Sequence, residues 1–256
     1  MKIKIINPNT SQEMTSLLEE QVRGRNRTEA DLIFVNSSIG PESIECFYDE
    51  YLAIPGVLEE ILKGDRDEGV NGFVIACFGD PGLFAAREIT EKPVVGIAEA
   101  AMYTARMLAP SFSIIDVLDR SRFMAQELVR MYGMEKYCAS VRTTGLGVME
   151  FIKDRERGLK ALEEQSRLAV EKDGSESILL GCAGFIDFVE HLTDVLTVPV
   201  IDGVLPAIQF VHNLVSLGLK TSKKSAFSFP DKKNVVGYSE LLGKGRHLER
   251  KDDDNC

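Results

Sequence analysis

The stretch ILLGCAGF, residues 178–185, decides how this chain is read. It starts as the continuous apolar run of a strand buried on both faces, then finishes on Cys182, with Gly181 before it and Gly184 two positions after. A buried cysteine is by default a small core residue, so a chemical role for Cys182 needs support from elsewhere in the chain. That support is a second copy. GFVIACFGDPG followed by KPVVGIAEAA matches SILLGCAGF followed by VPVIDGVLPA in order and spacing: Cys77 precedes Pro93 by 16 positions and Cys182 precedes Pro199 by 17. The two cysteines lie 105 residues apart, and IIN at 5–7 lies 109 residues before IID at 114–116, so whole halves correspond.

Around these repeats, strand-like runs alternate with amphipathic helical ones. IKIINP, ADLIFVNS, GFVIACF, KPVVGIA, SFSIIDV, CASVRTT, SILLGCA and VPVIDG read as strands. SQEMTSLLEEQVRG, YDEYLAIPGVLEEILKG, SRFMAQELVRMYG and GLKALEEQSRLAVEKDG read as helices between them. The fold class expected is α/β, with two similar lobes. Each lobe is a mainly parallel sheet flanked by helices, and a pseudo-twofold axis relates them across a cleft that holds the active site. Residues 1–103 form the first lobe, completed by a C-terminal helix from 204–220; residues 104–203 form the second; 221–256 are a C-terminal extension and tail.

Composition narrows the function. The chain has 256 residues, 44% hydrophobic and 27% charged, and contains no apolar run long enough to cross a membrane. A formal charge of −10 disfavours nucleic acid and anionic membrane surfaces, which require clustered Lys and Arg. A small-molecule ligand is expected instead. MKIKIINPNT carries no signal-peptide pattern, so a cytoplasmic location is expected, with a homo-oligomer as the assembled form. Cys46, Cys77, Cys138, Cys182 and Cys256 match neither a disulfide framework nor a zinc site. His191, His212 and His247 are scattered, and no glycine-rich phosphate loop occurs, so neither metal nor cofactor is expected.

Parallel sheets bind ligands beyond the carboxyl ends of their strands, where both Cys77 and Cys182 fall. Facing lobes bring the two thiols to one cleft from opposite sides, which a core-filling role does not require. After Cys77, Asp80 suits an N-cap and Pro81 a first helical position, so a helix is expected within one turn. Its free N–H groups favour thiolate and hold an oxyanion, which is expected to bring at least one thiol below the usual value of about 8.5. Gly184 allows close backbone approach beside Cys182. Two thiols on opposite faces of a C–H acid invert its carbon: one thiolate removes a proton and the other thiol returns one to the far face.

INPNTSQEMT, GPESIECFYDE, ACFGDPGL, PVVGIAEA, GCAGF, PVIDGV and LGLKTSK resemble, in order, the signatures of the hydantoin and allantoin racemases, within the aspartate/glutamate racemase superfamily. The resemblance implies cofactor-independent racemisation at C5 of a 5-monosubstituted hydantoin or of allantoin, with Cys77 and Cys182 as the two bases. It also implies a ring pocket lined by Asn7, Thr10, Ile39, Gly40, Pro41, Phe78, Gly79, Ala183 and Gly184. Two places depart from the family pattern. Asp116 and Val117 follow the fifth strand where a Thr-Thr pair is frequent, and Cys46 stands where a small residue is common.

Other reactions fit two cysteines. An amino-acid racemase must neutralise a carboxylate, yet no Lys or Arg flanks either cysteine, and Arg87 and Arg120 are expected to be solvated at the surface. Maleate isomerases and decarboxylases of the same superfamily are the further alternatives. A two-lobed solute receptor is a non-enzymatic one.

Overall fold

The computed structural model describes residues 1–233. The first half runs β1 (Lys2–Asn7), α1 (Gln12–Arg23), β2 (Asp31–Asn36), α2 (Phe47–Arg66), β3 (Gly72–Ile75), α3 (Leu83–Ile89) and β4 (Val94–Gly96). Helix α4 (Ile97–Leu108) leads into β5 (Phe112–Asp116), α5 (Arg122–Met131), β6 (Cys138–Thr143), α6 (Val148–Lys153) and α7 (Arg155–Asp173). Then come β7 (Ile178–Leu180), α8 (Val189–Leu196), β8 (Val200–Ile201) and α9 (Val204–Ser216). All eight strands expected from the sequence form.

They make two four-stranded parallel sheets, ordered β2-β1-β3-β4 and β6-β5-β7-β8. Each strand of the second sheet takes the rank of the strand four earlier, which is the sequence repeat expressed as topology. β1 and β3 run level at Ile6 and Ile75, and β5 and β7 at Ile115 and Leu180. The strands are apolar because helices cover both faces. Lys4 of β1 departs from this: it is fully buried, and its Nζ lies 2.8 Å from carboxylate oxygens of both Glu60 and Glu68, as a charge in this setting requires.

Helix boundaries follow local chemistry. Ser11 caps α1 by accepting from the Met14 N–H at 3.2 Å, and α7 starts on Asp154, which accepts from Arg157, and stops at Gly174 with φ 70°. The division expected after residue 103 falls inside α4. Ala98, Ala101, Met102 and Ala105 of α4 join one core cluster with Ile5 and Val74 of the first sheet and Ile114 and Leu179 of the second. The small alanines let α4 lie close to both. Helix α9 packs against α4, β3 and β4, and residues 221–223 run back to α3 and the loop after it, Thr221 donating to the Glu91 carbonyl at 2.8 Å. His247 and Cys256 lie outside the described residues. No helix among the described residues is long and apolar enough to cross a membrane.

Candidate active site

Cys77 stands two residues beyond the end of β3, and Cys182 two residues beyond β7. Beside them, β1 ends on Asn7 and β5 on Asp116, the positions that correspond in the repeat. All four residues line one cavity between the sheets. Neither cysteine is in a disulfide, and a charge on Cys182 makes ionisation of Cys77 harder, as expected of two thiols facing one space.

Of the ring-pocket residues expected, Asn7, Phe78, Gly79, Ala183 and Gly184 line this cavity with the cysteines. Asn7 is fixed by its Nδ2, which donates to Asn9 Oδ1 at 2.8 Å and Thr15 Oγ1 at 3.0 Å. Thr10, Ile39, Gly40 and Pro41 are not in the wall. Thr10 instead ties two loops together, its N–H and hydroxyl both donating to the Pro41 carbonyl at 2.9 and 3.3 Å, while Ile39 faces solvent. Cys46 is the N-cap residue of α2 and donates its thiol to Asp49 Oδ2 at 3.1 Å.

The cap expected after Cys77 is different in kind. Asp80 has φ 46° and Gly82 φ 73°, so the chain turns through left-handed conformations and α3 begins only at Leu83. Buried Asp80 reaches across to α4, accepting from the Ala98 N–H at 3.1 Å and the Glu99 N–H at 2.9 Å, and it takes the Tyr132 hydroxyl at 2.6 Å. It caps the following helix instead of its own. Burial still pushes this carboxyl up to about 7 against those three donors.

The thiols are also the reverse of the sequence expectation. The Gly79 N–H at Cys77 and the Gly184 N–H at Cys182 do favour thiolate, but desolvation outweighs them. Cys182 is pushed up to about 11, and Cys77 higher still, with Glu50, Cys182 and Asp80 adding repulsion. Burial therefore favours the neutral thiol over the thiolate at both positions. Asp116, whose Oδ1 accepts from the Val117 N–H at 2.7 Å, is raised by burial to about 6.

The rest of the wall was not legible in the two cysteine motifs. Met14, Leu17 and Leu18 of α1, Met124 and Leu128 of α5, and Phe151 and Ile152 of α6 give it a broad apolar side. Helical periodicity marks these as buried faces, without separating core from pocket. Two charged residues join them. Glu45 Oε1 accepts from the Val148 N–H at 2.9 Å, and Arg155 pairs with Asp187 at 3.0 Å. A cation therefore stands at the cavity although none flanks the cysteines in sequence. Arg87, expected to be solvated, is instead mostly buried in a pair with Glu99 at 2.6 Å, away from this cavity, and Arg120 is exposed.

The family model described as Asp/Glu/hydantoin racemase matches residues 3–211. A hydantoin racemase from Pseudomonas sp. (strain NS671) is 50% identical over 246 residues, covering 96% of this chain and 98% of that protein. An allantoin racemase from Klebsiella pneumoniae superposes with TM-score 0.90 at 42% identity, covering 94% of this chain and 98% of its own. The allantoin racemase from Pseudomonas fluorescens gives 0.88 at 32% identity, over 93% and 100%.

Proposed function

The chain belongs to the Asp/Glu/hydantoin racemase family, and from that premise we propose that it inverts C5 of 5-monosubstituted hydantoins with Cys77 and Cys182 as opposed bases. The observation that carries this reading is the pair of cysteines at equivalent strand ends, lining one cavity. The enzyme is a racemase; the substrate and the division of labour are the proposal.

C5–H of a hydantoin is acidified by the adjacent ring carbonyl, so a thiolate suffices as base and no metal or organic cofactor is called for. One cysteine, as thiolate, takes the C5 proton. Charge moves onto the C4 oxygen, and the backbone N–H groups of Phe78 and Ala183, next to the cysteines, are the donors assigned to it. The other cysteine, still a thiol, protonates the opposite face. Asn7 supplies an amide edge for the ring.

The C5 substituent is placed against Leu17, Met124 and Phe151 of the cavity wall, a surface that suits alkyl and arylalkyl groups. A reducing compartment suits the four free cysteines among the described residues and supports a cytoplasmic location. A homo-oligomer is part of the proposal, measured by light scattering on a sizing column.

The test is polarimetry of purified protein, without added cofactor, on enantiopure 5-alkyl and 5-benzyl hydantoins, allantoin, aspartate, glutamate and maleate. Decay of rotation for the hydantoins, unaffected by EDTA and by scavengers of pyridoxal phosphate, is expected. A metal requirement, or turnover of the acyclic acids alone, would overturn the reading.

A further inference from the structure

We propose that Glu50, in the first turn of α2, accepts the proton of Cys77 and passes it to solvent. The inference rests on the two-cysteine reading, and it answers a difficulty within it: burial disfavours the thiolate at Cys77, so that thiol must lose its proton to a nearby group before it can act as base.

The geometry singles out Glu50. A carbon placed on Gly79 would lie 3.4 Å from Glu50 Oε2 and 3.8 Å from Cys77 Sγ, so carboxyl and thiol border the same side-chain-free face. The two groups make no direct hydrogen bond, so the transfer runs through a bridging water. The carboxyl of Glu50 is also the charge that acts most strongly on Cys77. Its neighbour Asp49 is committed, accepting from the Glu45 N–H and the Cys46 thiol, both at 3.1 Å. Glu50 has no side-chain hydrogen bond or ion pair among the described residues. It is half-buried, with one side toward solvent and the other toward Cys77.

The groups around it leave it the task. Asp80, on the turn after β3, is occupied by Tyr132 and by two N–H groups of α4. Asp116, Glu45 and Arg155 act on Cys182 across the cavity. Burial, with a smaller contribution from Asp80, brings Glu50 to about 7, an affinity suited to exchanging protons with water at neutral pH.

In the step, the Cys77 S–H bond breaks, an O–H bond forms on Glu50 and the electron pair stays on sulfur. The thiolate then takes the C5 proton, Cys182 gives its proton to the far face and becomes thiolate, Glu50 releases its proton to water, and Cys182 regains one from water, which restores both thiols.

Glu50→Gln tests this. Cys77→Ser first identifies, by loss of solvent-deuterium exchange at C5, the enantiomer that Cys77 serves. Glu50→Gln is expected to slow exchange of that enantiomer by about 100-fold while leaving the other, and to remove the rise of kcat/KM with pH through about 7. Equal loss on both faces, or a wild-type pH profile, would overturn the role. If Glu50→Gln does not fold, Glu50→Asp decides: loss confined to the Cys77 face supports it, and equal loss on both faces refutes it. Full racemisation by Cys77→Ser sinks the two-cysteine reading itself, and this inference with it.

Discussion

At Cys182 a backbone donor and burial oppose one another, and their balance sets how the enzyme rests. The Gly184 N–H favours thiolate, yet the thiol is pushed up to about 11 because it gives up more hydration than one donor returns. Purified protein is therefore expected to show little thiolate absorbance at about pH 8, with alkylation accelerating only as the pH rises further. In Cys182→Ala, Cys77 should ionise at lower pH than in wild type, since the facing thiol is gone. An unshifted titration in that variant would place the two thiols too far apart to cooperate. The sequence located both cysteines through the repeat, but the sign of the shift depends on how much protein closes over them. Asp116 makes a second case. Its carboxyl is raised from 3.8 to about 6, so the native state holds its proton more tightly than the unfolded chain. The stabilisation this supplies, on the order of 3 kcal/mol, is full below about pH 4 and lost as pH rises through 6. Urea unfolding should show wild type weakening across that interval and Asp116→Asn weakening less. Identical slopes would mean that Asp116 is solvated.

The element most changed by tertiary context is the start of α3. Asp-Pro after a strand is a sound local signal for a helix cap, and position 80 does hold a capping residue. Which helix it caps is decided by the turn, because the left-handed conformations at Asp80 and Gly82 swing the carboxyl onto α4. Gly96, the N-cap residue of α4, makes room for it, since a methyl there would overlap the Asp80 carboxyl. Asp80→Ala strands two N–H groups and the Tyr132 hydroxyl. It should cost about 2 kcal/mol, read as a fall in Tm of roughly 4–8 °C; an unchanged Tm would deny α4 this cap. A similar fit joins α6 and α7: a methyl at Gly158 would overlap the Phe151 ring, which forms part of the cavity wall. Gly158→Ala is expected to push that ring inward and raise KM several-fold for 5-benzylhydantoin relative to 5-methylhydantoin. Proportional changes for both substrates would take Phe151 out of the substituent pocket. Neither fit is visible in helical periodicity, which marks a buried face and not what it touches.

Across the whole molecule, the repeat announced two matching sheets, while the shared core and the contacts that close the cavity come from pairs far apart in sequence. Asp187, five residues after Cys182, accepts from Gln21 at 2.8 Å and pairs with Arg25 at 3.2 Å, both in the first half. Its other partner, Arg155 at 3.0 Å, stands in the cavity wall. Three partners converge on one partly exposed carboxylate, so each pair is weak alone and their joint effect is to hold α1, α7 and the turn after Cys182 in one arrangement. Asp187→Ala should lower stability by about 1 kcal/mol, a Tm shift of roughly 2–4 °C. The larger consequence falls on binding: Arg155 is released from its position at the cavity, so KM is expected to rise several-fold while kcat changes little. Gln21→Ala, which removes one partner and leaves Arg155 paired, separates the two effects, because it should lower Tm without moving KM. If both variants raise KM alike, the link between the halves governs substrate binding by itself, and Arg155 has no separate part in it.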